Sequence, residues 1–160
     1  MQLTEQELLN AGIGRSLNFL GRAADMISVL LSPSEHDRYE YAIHIMADGA
    51  IFYKGKLLTN TQEMFEQEDA HMKSKYDEKV HELLNSGKSF ILKSISYDAN
   101  LCLSLKFSHE LEIRSFPENT VEADDELWRI FSPRRNGAHL VASNAGIELE
   151  QPDCTQVELN

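Results

Sequence analysis

Few side chains in this 160-residue chain stand where chemistry would need them. Arg22 and Asp25 interrupt the apolar run Gly21-Arg22-Ala23-Ala24-Asp25-Met26. Charges set into such a run are costly unless paired and hydrogen-bonded. Either they belong to a binding surface or polar network, or Gly21 forms a bulge that leaves Arg22 facing solvent and Asp25 bonding nearby backbone amides. His44 lies between Ile43 and Ile45, on the opposite face of an alternating segment. As a metal ligand it would need two partners, and His71, His109 and His139 show no ligand spacing with it or with any Cys, Asp or Glu. Trp128-Arg129 with Pro133-Arg134-Arg135 forms the one locally basic patch. Trp and Arg are the residue types of binding hot spots, but a single tryptophan is also an ordinary core anchor, with Arg129 free to pair with an acid among Glu122 to Glu126.

Familiar catalytic signatures are absent. The chain contains no GxGxxG, P-loop, GxSxG elbow, HExxH or paired CxxC. Cys102 alternates with leucines and Cys154 sits in a polar stretch, so neither suggests zinc, a redox pair or a disulfide. No cofactor and no metal are expected.

The elements that must position these residues follow from spacing. Thr4-Glu5-Gln6-Glu7 is a capping box opening a short helix that Gly12 and Gly14 stop. Leu17 and Phe19 precede a break at Gly21-Arg22. The run Ala23 to Leu31 then places Ile27, Val29 and Leu31 on one face of a strand, completing a hairpin. Tyr39 to Met46 alternates clearly, and Asp48-Gly49 predicts a tight hairpin turn into Ala50 to Tyr53. Residues 59–69 read as a loop or irregular helical turn. Met72, Tyr76, Val80, Leu83 and Leu84 form the stripe of an amphipathic helix ended near Gly87.

Strands then follow closely: Phe90 to Ser96, Leu101 to Phe107, Leu111 to Ser115, Leu127 to Phe131, His139 to Ala142 and Ile147 to Leu149. Short turns between them require antiparallel pairing. The expected fold is α+β: a curved, mostly antiparallel sheet of about eight or nine strands, or two abutting sheets, packed on one amphipathic helix with a short N-terminal helix. Residues 1–150 form one domain and residues 151–160 a flexible polar tail.

Acidic residues outnumber basic ones 26 to 15, for a formal charge of −11. That balance opposes nucleic acid and anionic membrane surfaces and favours encounter with a basic protein; solubility alone would also account for it. Glu122, Asp124, Asp125 and Glu126 concentrate the charge. The first ten residues lack the pattern of a signal peptide, and the apolar stretch Met26 to Leu31 is far short of a membrane span, so the expected compartment is the cytoplasm.

Several of these segments carry a resemblance. Gly14 with Leu17, Gly21 to Met26, and Tyr41-Ala42-Ile43-His44-Ile45 resemble a family of uncharacterised small bacterial proteins. Leu111-Glu112-Ile113, Phe116-Pro117, Trp128-Arg129-Ile130-Phe131 with Pro133, and His139-Leu140-Val141 extend the likeness to about Leu149. Residues 59–89 are not distinctive, and Phe52-Tyr53-Lys54 departs from the more polar aromatic segment expected there. The resemblance implies a bacterial, cytosolic protein and no catalytic residues. In composition the chain is also similar to small acidic immunity proteins.

The sequence thus points first to a protein-binding module, immunity-like, whose acidic surface holds a basic partner. The alternative is a small-ligand binder or unfamiliar enzyme, with a pocket of Arg22, Asp25, His44, Trp128, Arg129 and His139. A third reading is self-association through an exposed strand edge.

Overall fold

A computed structural model describes residues 4–32, 41–66, 73–116, 125–131 and 137–151. Among these residues eleven strands form two antiparallel sheets, neither closed, with three α-helices. The six-stranded sheet contains β1 (Ser16–Ala23), β2 (Met26–Ser32), β3 (Tyr41–Ile45), β9 (Glu126–Phe131), β10 (His139–Ser143) and β11 (Gly146–Glu150), in that spatial order. The five-stranded sheet runs β5 (Lys56–Asn60), β4 (Gly49–Tyr53), β8 (Leu111–Ser115), β7 (Leu103–Phe107), β6 (Leu92–Tyr97). This is the α+β, antiparallel, two-sheet form of the expected fold, with more and shorter strands than the alternation alone separates.

The inner faces meet in one apolar cluster. Ile27, Val29, Leu31, Ile43, Ile45, Trp128, Ile130 and Leu140 come from the first sheet, and Ile51, Leu92, Leu103, Leu105 and Ile113 from the second. Burying each such side chain contributes about 1.5–3 kcal/mol. Trp128 is completely buried and links the sheets, donating its indole N–H to the Leu101 carbonyl at 2.9 Å and resting 5.6 Å from the Tyr97 ring.

The helices fill margins between the sheets. Helix α1 (Glu5–Ala11) starts at Thr4, whose hydroxyl accepts from the Glu7 amide, as its capping sequence predicts. One helical turn, α2 (Thr61–Met64), falls within residues 59–69, whose pattern predicts a loop or irregular helical turn. Helix α3 (Lys75–Leu84) opens on a second capping box, with Ser74 accepting from the Asp77 amide and Asp77 accepting from the Ser74 amide. Tyr76, Val80 and Leu83 carry its buried stripe against β1 and β5. Met72, expected in that stripe, and the polar tail at 152–160 lie outside the described residues.

Two turns differ from expectation. Gly21 and Arg22 do not break the first hairpin. β1 runs through them to Ala23, and the reversal falls at Ala24-Asp25, where Ala24 takes φ 56°. The register shift lies between Leu17 and Phe19. Asp48-Gly49 is not a hairpin turn either, because β3 pairs with β2 and β9 while β4 pairs with β5 and β8. The dipeptide is a corner where the chain changes sheet. Gly49 is required there by crowding, not by a positive φ: a Cβ would lie 2.6 Å from Ile27 Cδ1 and 3.3 Å from the Arg114 carbonyl oxygen.

Candidate functional site

Neighbouring residues on a strand face opposite ways, so β9 divides Trp128 from Arg129. Trp128 and Ile130 point into the core; Arg129 and Phe131 lie on the outer face of the six-stranded sheet. The pairing of β3, β9, β10 and β11 then builds a two-row patch there. Ser28, His44, Arg129, Val141 and Glu148 stand opposite one another strand by strand, and Leu30, Ala42, Phe131, His139 and Glu150 form the adjacent row.

Arg129 is the hub of this patch. Its guanidinium grips Glu126 with two N–H groups, one of them Nε to Oε2 at 3.1 Å, and reaches Glu150 Oε2 at 3.4 Å. Its Nη1 also lies 2.7 Å from His139 Nδ1. A guanidinium only donates, so Nδ1 of His139 must accept, which leaves that ring neutral with its proton on Nε2. Phe131 holds both histidines: its ring stacks on His139 at 4.8 Å and meets His44 edge-on at 5.1 Å.

The electrostatics follow from this packing. Burial and then the Arg129 charge push the His44 pKa below its ordinary value, against a smaller pull from Glu126. Burial and Arg129 likewise lower that of His139, opposed by Glu150 and Glu126. Arg129 is held firmly charged, chiefly by its hydrogen bonds to Glu126. The patch therefore presents neutral imidazoles and an aromatic ring, with one guanidinium paired to Glu126 and Glu150 and with Glu148 two strands away in the same row.

The remaining candidates go elsewhere. Arg22 sits on the inner side of β1 at the sheet margin, donating to the Met64 carbonyl at 2.9 Å and pairing with Asp77 at 3.2 Å. Its side chain is 30% exposed and locks α2 and α3 onto β1, so the solvent-facing reading of Arg22 does not describe it. Asp25 is exposed in the β1–β2 turn. Trp128 is core. Of the six residues proposed for one pocket, the structure brings together His44, Arg129 and His139. Asp125 is exposed beside Glu126, while Glu122, Asp124 and the Pro133-Arg134-Arg135 loop lie outside the described residues.

Glu150 and Phe131 were missed as members of the patch. The signal for Glu150 was present: Glu148 and Glu150 alternate with Ile147 and Leu149, and the strand runs one residue past its predicted end. Four cavities of 240–380 Å³ lie elsewhere on the described surface, and none of these four is lined by His44, Arg129 or His139. Among the described residues no group of three or more His, Cys, Asp or Glu side chains is arranged to hold a metal ion, and no helix is long and apolar enough to cross a membrane.

No family model, no curated protein and no solved structure matches this chain. What can be said of its class is therefore what the fold defines: an α+β protein of two open antiparallel sheets, with a histidine–arginine–carboxylate patch on one outer face.

Proposed function

We propose that this chain is a protein-binding module, immunity-like in manner, that holds a basic partner on the acidic end of its six-stranded sheet. The observation that supports this most is the disposition of charge around Arg129. Its guanidinium is already committed to Glu126 and Glu150, and Glu148 stands exposed beside them. Among the described residues this end of the sheet thus carries a negative excess beside half-buried aromatic surface, a combination that receives Lys and Arg side chains from a partner. The formal charge of −11 extends the attraction beyond contact distance. It sets the surface against phosphate-rich polymers.

Capture of partners from the host's own lysate, at low and high salt, tests this. The wild-type chain should retain a basic protein at low salt and release it at high salt, and Glu148→Lys should weaken retention. Retention of a neutral or acidic protein, insensitive to both salt and the charge reversal, would contradict the reading.

A further inference from the structure

Two open sheets have four edges, and an exposed edge is a template for another strand. Three of these four have another element packed against them. The start of β1 and the residues before β6 pair with each other, through Leu17 N–H to the Phe90 carbonyl at 2.7 Å and Leu92 N–H to the Arg15 carbonyl at 2.9 Å. Farther along β1, α3 packs on it and Tyr76 donates to the Gly21 carbonyl at 2.7 Å. β6 also meets α1, where Tyr97 donates to Glu5. β5 carries α2 and α3. β11 differs: it ends the six-stranded sheet, and among the described residues no helix or strand lies along its outer edge.

The side chains of that edge specify what fits it. Glu148 and Glu150 face outward, both exposed, while Ile147 and Leu149 face the core side and are only half-buried. A second copy of this chain is a poor occupant. The fullest antiparallel register of β11 with itself sets Glu148 against Glu148, and one of the two registers shifted by two residues sets Glu148 against Glu150; like charges directly opposite destabilise a pair. A strand with Lys or Arg at alternate positions reverses that sign. Aliphatic residues between them would extend the inner face over Ile147 and Leu149.

We infer that β11 is a docking edge for an extended basic segment of a partner protein, which adds as a seventh, antiparallel strand with Lys or Arg opposite Glu148 and Glu150 and aliphatic side chains over Ile147 and Leu149. The inference rests on the basic-partner reading and adds its mode of binding. Main-chain hydrogen bonds supply affinity, and the alternating carboxylates supply register and specificity.

Labelled synthetic peptides separate the mode from the charge. The probes are an alternating Lys–Val octapeptide, its block isomer with all lysines first, and two analogues N-methylated at one or the other set of alternate amides. The alternating peptide should bind at least about tenfold more tightly than the block isomer, the equivalent of one or two backbone hydrogen bonds. One N-methylated analogue should lose binding while the other keeps it, because only alternate N–H groups face the edge. Hydrogen exchange should slow at residues 146–150, and Glu148→Lys should weaken binding. Equal binding of both isomers, indifferent to either methylation pattern, would overturn strand addition while leaving the basic-partner reading intact. Failure of every basic peptide to bind at low salt would overturn both.

Discussion

Replacing Arg129 with Met removes the hub of the outer-face patch while keeping much of its aliphatic bulk. The side chain is 22% exposed and its partner Glu126 is 31% exposed, so the pair lies between the exposed and buried regimes. Exposed pairs are worth about 0–1 kcal/mol, and breaking a buried one costs about 3–5 kcal/mol. The expected loss is about 2 kcal/mol near neutral pH, a fall in Tm of about 4–8 °C for a chain of this length. The loss should also depend on pH. In the wild type, burial and Arg129 depress the His44 and His139 pKa values, so their contribution to stability is complete above the unfolded-state pKa and is lost as pH falls through the folded one. Without Arg129 the carboxylates of Glu126 and Glu150 act on His139 unopposed by that cation, and its folded-state pKa rises relative to wild type. A protonated His139 then takes over part of the lost role, and the gap between variant and wild type narrows as pH drops from about 7.5 to about 5.5. Urea unfolding at both pH values, with NMR titration of the two imidazoles, measures this. A deficit equal at both values, or a His139 titration unmoved by the substitution, would refute the reasoning.

Two glycine substitutions should part company in the same unfolding assay. Gly49→Ala forces a methyl against Ile27 Cδ1 and the Arg114 carbonyl oxygen, and should cost about 1–3 kcal/mol; Gly21→Ala meets only the 41% exposed Phe19 ring, which can swing away, and should cost less. Ser74→Ala deletes the capping box of α3 and should lower stability by about 1 kcal/mol, with faster hydrogen exchange in the first turn of that helix.

Much of the fold is written in short-range signals. Alternation placed the strand at residues 111–115 to the residue, because one face lies in the core and one outside it; the strand read from Leu101 begins two residues later, at Leu103, because Leu101 takes a positive φ in the preceding turn. The Asp48-Gly49 corner was misread for a physical reason. Glycine serves both positive φ and close approach, and only tertiary packing against Ile27 tells the two apart. The site was harder still. His44 and Arg129 are 85 positions apart and meet only because β3 pairs with β9, a pairing no local pattern encodes. Arg22 meets Asp77 across 55 positions because α3 packs on β1, which no local pattern encodes either. The separation of Trp128 from Arg129, by contrast, was available from strand geometry alone, since adjacent strand residues cannot share a face.

Binding of a basic partner at the β9–β11 end of the sheet is tested most directly by amide chemical-shift mapping of the full chain titrated with an oligolysine peptide at low salt. Perturbations should concentrate on β9, β10 and β11, centred on Arg129, His139, Glu148 and Glu150, and should vanish at high salt. Shifts spread evenly over the surface, or centred instead on the exposed acids of α3 at Glu78 and Glu82, would contradict it.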